Sequence, residues 1–348
     1  MMLIQIHRLN ASFSLFLALC LNAILILLVV KRSPKEMKVY KRILLQTALV
    51  DIVLSVLSFL SQNVSVSTNR WVLVLSVSPL FDYLSISSQF GTLLINSWLI
   101  MQFFSLFGLC VQFIYRFLVL NRNLQISVKK YVTMLSFAFS ITVLTWTYDY
   151  IVAIDHINLS LLNAGEILQI QQLLGVNLSS FVTYCERNDY FPVQISIGAL
   201  FIENIICYAT IVICGYKMAK FVHKNLDQSS TRRHQINRQI TITLIIQALI
   251  PLAMNIIYIT LTAQLLIFEF ELSPSFLFIQ MCTSIPLHWL PVLNPLVSIL
   301  CVGDYRNAVL NFVRHTICRR PNAVAPQQIP MNNLQKNNQN AQLPIVAS

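Results

Sequence analysis

Long apolar stretches alternate along this chain with short polar connections that hold most of its charge. An α-helix needs about 20 apolar residues to cross roughly 30 Å of hydrocarbon, because each residue rises about 1.5 Å. Several stretches reach that length, and each has few charges and ends at a polar or charged break. The pattern predicts membrane-spanning helices over residues 9–30, 43–62, 89–120, 131–153, 192–216, 239–263 and 276–302.

The composition agrees with that pattern. Of 348 residues, 56% are hydrophobic and 11% are charged, which excludes an ordinary soluble domain. We therefore predict an all-α membrane protein, a seven-transmembrane helix bundle followed by a short amphipathic helix. The expected parts are an external N-terminus (1–8), the bundle (9–302), a membrane-surface helix (303–320) and a disordered cytoplasmic tail rich in Asn, Gln and Pro (321–348).

The connection at residues 71–88 is apolar enough to suggest an eighth crossing. It contains Pro79, Asp82 and five serines, which are unfavourable in hydrocarbon. We interpret it as a loop that lies against the outer surface. An eighth crossing would also place the later basic loops on the wrong side of the membrane.

Basic residues fall almost entirely on one side of a seven-span bundle. Short cytoplasmic loops retain Lys and Arg, so the N-terminus is predicted outside and the C-terminus inside. The opposite side has only Arg8, Arg70 and Arg187. The net charge of +11 follows from this topology and requires no nucleic acid. The cytoplasmic set comprises Lys31, Arg32, Lys35, Lys38, Lys41, Arg42, Arg122, Lys129, Lys130, Lys217, Lys220, Lys224, Arg232, Arg233, Arg238, Arg306, Arg314, Arg319, Arg320 and Lys336.

Glycosylation motifs support the same orientation. Asn10, Asn63, Asn158 and Asn177 each begin an Asn-x-Ser/Thr sequence, and all fall on the predicted outer side. Asn10 and Asn63 lie close to the bilayer, whereas the long connection after span four gives Asn158 and Asn177 room to be modified. Cys185 lies in an outer loop, and no disulfide can be assigned to it.

Three polar residues interrupt the apolar spans at one depth. Asn22, Asp51 and Asn294 each lie about eight residues from the cytoplasmic end of their span, or roughly 12 Å. We expect them to meet inside the bundle. A carboxylate there can accept amide hydrogen bonds, bind a cation or become protonated. The cluster is either a clasp that holds helices together or part of a switch.

Prolines interrupt spans six and seven. Each removes a backbone donor and bends its helix, and neighbouring groups must satisfy the carbonyl that is freed. Pro251 lies near the middle of span six, and Pro286, Pro291 and Pro295 lie in span seven. The kinks either serve packing alone or act as hinges.

The outer half of the bundle is the predicted place for a ligand, because a pocket needs apolar walls and a few polar groups. Glu203 and His288 lie at similar depth, about 12 residues from the outer ends of spans five and seven. Asn96, Gln102 and Tyr258 are further candidates. Helix packing is the alternative role for each of them.

The segment after span seven has one apolar face at helical spacing and several basic residues. We expect it to lie flat on the inner leaflet. Cys318 at its end is a candidate for palmitoylation, and an unmodified thiol is the alternative. The apolar positions are Tyr305, Val309, Phe312, Val313 and Ile317, and the charges come from Arg306, Arg314, Arg319 and Arg320.

Several of these positions resemble the core of rhodopsin-like G-protein-coupled receptors. The matching residues are Leu21-Asn22, Ala48-x-x-Asp51, a proline in span six and Asn294-Pro295. The resemblance is partial. Ile114-Tyr115-Arg116 replaces the acidic-Arg-Tyr triplet, Ser298 replaces the usual Tyr, and the cysteine expected at the outer start of span three is absent.

Longer motifs resemble the nematode serpentine chemoreceptors of the Str superfamily. They are QFIYRFLVLNR (112–122), QINRQITITLIIQALIPLAMNI (235–256) and LPVLNPLVSILCVGDYRNAV (290–309). SPKEMKVYKRILL (33–45) is similar to that group's first inner loop, nearest its class delta branch. The three motifs occur in order on matching helices.

The Str resemblance implies a chemosensory receptor of the plasma membrane or sensory cilium. Its expected partners are a small odorant or pheromone-like ligand and a heterotrimeric G protein. Arg116 lies where the family's Arg meets the G protein, although an Arg that snorkels to the headgroups is the alternative. The full set expected at the G-protein face is Tyr115, Arg116, Arg232, Arg233, Tyr305 and Arg306.

Other functional classes fit the sequence less well. A secondary transporter usually has internal repeats, which we do not find. A ligand-gated cation channel of the insect odorant-receptor type has the opposite orientation, against which the basic loops argue. An enzyme, a metal site or a cofactor is not expected, because the sequence has no phosphate-binding loop, His-x-x-x-His or Cys-x-x-Cys motif.

Overall fold

The computed structural model describes residues 2–33, 37–67, 71–80, 88–122, 124–154, 168, 171–172, 182–187, 191–224, 232–267 and 274–317. Long apolar segments form helices there, because a helix satisfies its backbone groups within one segment. The predicted spans one to six each fall inside one helix to within a residue. These helices are α1 (Met2–Arg32), α2 (Lys38–Ser61), α3 (Ser88–Asn121), α4 (Val128–Ile154), α5 (Phe191–Lys224) and α6 (Arg232–Ile267).

The seventh predicted span, residues 276–302, is divided rather than continuous. Pro286 has no N–H to offer the carbonyl of Cys282, which accepts from the Ile285 N–H instead (3.3 Å). The backbone therefore tightens into 3₁₀ geometry at this point. The segments are α7 (Pro274–Ser284), a 3₁₀ helix (Pro286–Trp289), α8 (Leu290–Cys301) and α9 (Gly303–Ile317).

Most of the helices are long and apolar enough to cross a membrane. α6 contributes a shorter apolar segment, Arg238–Met254, inside a helix of 36 residues. Large apolar side chains such as Phe16, Leu144 and Ile205 are exposed, as expected for surfaces that face lipid. Among the described residues, six segments are long and apolar enough for a membrane span: Ile4–Arg32, Tyr40–Ser61, Gln89–Asn121, Val128–Ile151, Phe191–His223 and Phe278–Cys301.

The helices pack both on their neighbours in sequence and on helices further along the chain. α1 packs on α2 and α8, α2 on α3, α3 on α4 and α5, and α6 on α5 and α8. Leu54, Trp98 and Leu290 are buried together in the middle of the bundle and form the central apolar cluster. Ile250 and Met254 of α6 pack against it. The cluster thus joins α2, α3, α6 and α8.

A small antiparallel sheet is formed by the connections after α2 and α4. One face of it is buried, since Val64, Val66, Leu73 and Leu75 alternate along the strands and are each at most 1% exposed. In register, Val66 lies opposite Leu73. The strands are β1 (Asn63–Ser67), β2 (Trp71–Ser76) and β3 (Val182–Arg187), with β2 in the middle.

The sheet differs from the loop predicted for residues 71–88, because Trp71–Ser76 form β2. The available signal was a short apolar run, which a membrane helix and a buried strand share. The partner strand β3 comes from a distant connection, so no local pattern reveals the pairing. The bundle itself remains helical.

Hydrogen bonds fasten the sheet to α1 and α2. Gln62 ends α2 in a left-handed conformation (φ 42°), and its N–H donates to the Ser58 carbonyl (2.9 Å). The Gln62 carbonyl accepts from the Val77 N–H (3.2 Å). Arg8 Nε donates to the Val77 carbonyl (2.7 Å). The strands are therefore anchored directly to the helices beneath them.

The two ends of the bundle differ in covering and charge. The end with the three strands is called the sheet end below. At the opposite end, the basic end, α1 stops at Arg32, α5 stops at Lys224 and α6 starts at Arg232. This positive charge predicts that the basic end faces the cytoplasm.

Candidate functional site

A buried polar network joins α1, α2 and α8. Asn294 Nδ2 of α8 donates to Asp51 Oδ1 of α2 (3.0 Å). Asn22 Nδ2 of α1 donates to the carbonyls of Ala18 (2.9 Å) and Pro291 (3.1 Å). Asn22, Asp51 and Asn294 are 0%, 1% and 6% exposed. The structure thus places these three candidates in one network, with α8 linking Asn22 to Asp51.

Pro295 explains why Asn22 bonds to a backbone carbonyl. A proline has no N–H, so the carbonyl of Pro291, four residues earlier in α8, loses its helical donor. Asn22 supplies a donor from α1. Freed carbonyls in hydrocarbon must be satisfied by neighbours, and this bond therefore fixes α1 against α8.

Gln247 of α6 belongs to the same network and is absent from the sequence-based candidates. Its Nε2 donates to the Asn294 carbonyl (3.1 Å) and to Ser298 Oγ (3.0 Å). Gln247 is 3% exposed and lies one turn before Pro251. A polar residue beside a proline inside a span was the signal that could have revealed it. Through Gln247, α6 is tied to α8.

Two oxygens of the network have no hydrogen-bond partner within the described residues, namely Asp51 Oδ2 and Asn22 Oδ1. Both are buried. An unpaired polar oxygen is costly in apolar surroundings and can accept a proton or a further donor. Any rearrangement that supplies a donor would therefore change the energy of this network.

Near the basic end, Arg116 of α3 is buried rather than snorkelling to the surface. It is 4% exposed, and its guanidinium carbon lies 6.0 Å from the centre of the Tyr40 ring of α2. At this distance a ring face attracts a cation weakly. Tyr115 contacts a different neighbour, since its ring centre lies 4.7 Å from that of Tyr131 in α4. Tyr40 thus packs against Arg116 in this structure.

The start of α9 contacts the basic ends of α1 and α6. Tyr305 Oη and Ser33 Oγ are 2.7 Å apart, and burial raises the pKa of Tyr305 above its usual value. The Gly303 N–H donates to Gln239 Oε1 (3.3 Å). A Cβ at Gly303 would lie 3.2 Å from Gln239 Nε2, so glycine permits this close approach.

At the sheet end, His288 of the 3₁₀ helix is held by α1 and α2. Its Nδ1 lies 2.5 Å from Ser58 Oγ, and its Nε2 lies 3.4 Å from His7 Nε2. The two imidazole rings meet edge to face, with centres 4.9 Å apart. Trp289 Nε1 donates to Asn10 Oδ1 (2.9 Å). The Asn10 side chain therefore forms a hydrogen bond within the protein.

Glu203 lies nearer the sheet end than the basic end of α5, but on another side of the bundle from His288, where α5 meets α4. Thr145 Oγ1 donates to Glu203 Oε1 (2.6 Å), and Glu203 Oε2 is buried without a hydrogen-bond partner in the described part of the chain. Glu203 and His288, predicted at one depth, therefore contact different helices. Depth follows from counting residues along a span, but the direction of a side chain around the helix axis depends on packing.

A protein-family model described as serpentine type 7TM GPCR chemoreceptor Str matches residues 8–310. The chain belongs to this family. The match begins in α1 and ends in α9, so it covers the bundle and the network. The predicted Str resemblance and seven-transmembrane fold are confirmed, and Str membership makes this a GPCR-like chemosensory receptor of the membrane, a class that is generally non-enzymatic. No curated protein matches the chain.

This Str receptor departs from the rhodopsin-like pattern at three places, and the structure shows what occupies each. Ile114 stands where an acid is usual, and Arg116 packs instead against Tyr40. Ser298 stands where a Tyr is usual and accepts a hydrogen bond from Gln247. The usual cysteine at the start of span three is absent, and pairing of β2 with β3 joins the connections after α2 and α4.

The other candidate residues of the Str receptor are placed less fully. Asn96 and Gln102 are partly buried in α3, and Gln102 Oε1 has no partner among the described residues. Within the described ranges, no three His, Cys, Asp or Glu side chains are grouped to hold a metal ion. Pro251 and Pro295 are buried and Arg306 is exposed; the side chains of Tyr258, Arg232 and Arg233 and the whole of Asn158, Asn177 and Cys318 lie outside the described part.

Proposed function

We propose that this Str receptor binds an external small molecule of odorant or pheromone type inside its bundle and activates a heterotrimeric G protein at the basic end. One observation carries the proposal. Gln247 and Asn294 join α6 to α8 in a buried polar network that also includes Asn22 and Asp51. Family membership independently supports a GPCR-like chemosensory receptor.

The network suits a switch because its bonds depend on the position of α6. Gln247 lies one turn from Pro251, where the helix lacks one backbone hydrogen bond. If α6 swings about Pro251, Gln247 loses its bonds to the Asn294 carbonyl and Ser298. An agonist that binds the swung packing better shifts the population towards it.

The same movement would open the basic end. Gln239, near the start of α6, accepts from the Gly303 N–H, and Thr243 one turn later lies beside Tyr40. Withdrawal of α6 would remove both contacts and uncover Arg116 beneath Tyr40. The surface offered to the G protein would then comprise Tyr115, Arg116, Arg232, Arg233, Tyr305 and Arg306.

The ligand would bind between the central apolar cluster and the sheet end. The cluster supplies the apolar walls of the pocket. Trp98 of α3 belongs to the cluster, and Met254 of α6 packs against it. Polar groups would come from two sides of the bundle, with His288 near α1 and α2 and Glu203 near α4. The proposed contact residues are Asn96, Gln102, Glu203, Tyr258 and His288.

The proposal requires the basic end in the cytoplasm of a plasma membrane or sensory cilium. Tags on each terminus, stained in intact and permeabilised cells, test this orientation. We expect an accessible N-terminus and a C-terminus reached only after permeabilisation. The reverse result would overturn the receptor and favour a ligand-gated cation channel, to be tested by recording currents.

Coupling is tested by Arg116→Ala in cells that report G-protein activation, after a ligand screen on the wild type. We expect Arg116→Ala to abolish the response while surface expression persists, because Arg116 is the buried cation that opening would present. Arg122→Ala is the matched control, since Arg122 is an exposed residue one or two turns further on. A normal response from Arg116→Ala would contradict the proposed coupling face.

A further inference from the structure

Two imidazole rings meet at the sheet end, one from α1 and one from the 3₁₀ helix. His7 Nε2 and His288 Nε2 are 3.4 Å apart. Two Zn–N bonds of about 2.0–2.1 Å at a tetrahedral angle of about 109° place their nitrogens roughly 3.3–3.4 Å apart. We propose that His7 and His288 bind a divalent transition-metal ion, with Zn²⁺ as the ion that fits this geometry.

Ser58 orients the His288 ring for such binding. Ser58 Oγ lies 2.5 Å from His288 Nδ1. When Nδ1 holds the proton and donates to Ser58, the free lone pair of His288 is on Nε2, which faces His7. Metal-binding histidines commonly donate their other N–H to a neighbouring acceptor in this way. Ser58 is therefore a positioning residue.

The histidine pair is poorly satisfied by its own hydrogen bond. At 3.4 Å the contact between the two Nε2 atoms is long for a hydrogen bond. It also needs one nitrogen to donate and the other to accept. A metal ion between the rings takes both Nε2 lone pairs at once. Binding therefore removes a contact that is weak without it.

Two imidazoles supply half of a tetrahedral set, and we propose water or amide oxygens from the end of α2 for the remaining positions. Gln62 Oε1 and Asn63 Oδ1 are buried, and neither has a hydrogen-bond partner among the described residues. Gln62 lies one turn after Ser58, to whose carbonyl its N–H donates (2.9 Å). Buried oxygens without donors are stabilised by a cation, and Zn²⁺ accepts oxygen ligands or water beside nitrogen.

The site would tie the start of α1 to the seventh span. His7 belongs to α1, and His288 lies between α7 and α8. A metal ion bound to both histidines would link α1 to the seventh span without involving α6. His288 is also a proposed ligand contact, but metal binding is measured without ligand and without G protein, so it can hold or fail apart from the proposed function.

Binding is measured on the full-length receptor in lipid nanodiscs, purified without a polyhistidine tag. We expect titration with Zn²⁺ to show one ion per receptor. Cu²⁺, which binds nitrogen sites more strongly, serves as the spectroscopic probe, and its electron paramagnetic resonance should show splitting by two nitrogens. The proposal would be overturned if Zn²⁺ did not bind, or if the Cu²⁺ spectrum showed no splitting by two nitrogens. Both experiments use the wild-type receptor and require no variant.

Variants identify the ligands. His7→Ala and His288→Ala should each lose the site, whereas His156→Ala, in the connection after α4, should keep it. Ser58→Ala should weaken Zn²⁺ binding by about tenfold or more, because the His288 ring is no longer held. Ser55→Ala is its control, since Ser55 bonds to the Ile52 carbonyl of its own helix (2.8 Å). Unchanged affinity in a folded His7→Ala receptor would refute the assignment.

Discussion

The polar network around Asp51 and the polar contacts of the sheet end differ in the helices they join. The network includes Gln247 of α6, which bonds to α8. At the sheet end, His288 contacts α1 and α2, and Glu203 contacts α4. A movement of α6 must therefore break the network but can leave these sheet-end contacts intact. This contrast marks the network as the changing region and the sheet end as the holding region.

Backbone chemistry underlies the contrast. In the network, side chains bond to carbonyls in a helix interrupted by Pro295, so helix geometry and interhelical contacts are coupled. At the sheet end, the contacts of His288 and Glu203 are between side chains and leave the helical backbone bonds in place. Distortion of α8 should thus disturb the network first.

The largest expected effect comes from Asn294→Leu. The change leaves the buried Asp51 carboxyl without its amide donor and should destabilise the receptor by about 2–4 kcal/mol. We expect a clear fall in the melting temperature of the solubilised protein and loss of signalling. Leu300→Ala on the exposed face of α8 is the control and should change little. If His288→Leu at the sheet end cost as much as Asn294→Leu, the contrast between the two regions would fail.

A sharper test is a double-mutant cycle between Asn22 and Pro295. Asn22→Leu alone leaves the Pro291 carbonyl without a donor and should cost about 1–2 kcal/mol. Pro295→Ala restores a backbone N–H that can reach that carbonyl within α8. The double variant should therefore lose less stability than the sum of the two single changes, by about 1 kcal/mol. Strict additivity of the melting-temperature shifts would show that Asn22 does not act through the freed carbonyl.

The network could be anticipated from sequence because depth is a count of residues. Asn22, Asp51 and Asn294 lie at equal distance from one end of their spans, and each is a residue type that hydrocarbon disfavours. Gln247 lies at the same depth, eight residues from the cytoplasmic end of predicted span six, so the same count could have selected it. The prolines of spans six and seven lie in two of the four helices that the network joins.

The sheet end was harder to anticipate because its features depend on rotation and on distant pairing. The residue count placed Glu203 and His288 at one height, but only packing determines which neighbour each side chain meets. β2 and β3 lie far apart in sequence, and the alternation of β2 was masked by apolar residues that also suit a helix. His7, near the start of span one, gave no signal until His288 was placed beside it.

An intermediate effect is expected from Gln239→Ala at the basic end. Gln239 accepts from the Gly303 N–H and so links α6 to the start of α9 in the present packing. Loss of one such bond, worth about 0.5–1 kcal/mol, should raise signalling without ligand roughly two- to fivefold. Arg238→Ala, an exposed neighbour, is the control. Lower basal signalling from Gln239→Ala would mean that this contact supports the active packing instead.

The smallest effect on basal signalling should come from Thr145→Val, which removes the donor to Glu203 Oε1. The bond joins α4 to α5 and does not involve α6, so its loss should lower stability by about 1 kcal/mol or less and leave basal signalling unchanged. Glu203→Gln is the companion variant, because it keeps an oxygen for Thr145 while removing the carboxylate that a ligand could meet. A ligand that binds there should respond to Glu203→Gln more than to Thr145→Val. Gln239→Ala is expected to raise basal signalling, and Thr145→Val is not. If Thr145→Val also raised it, the contact between α4 and α5 would be part of the switch. The division between a changing region and a holding region would then be wrong.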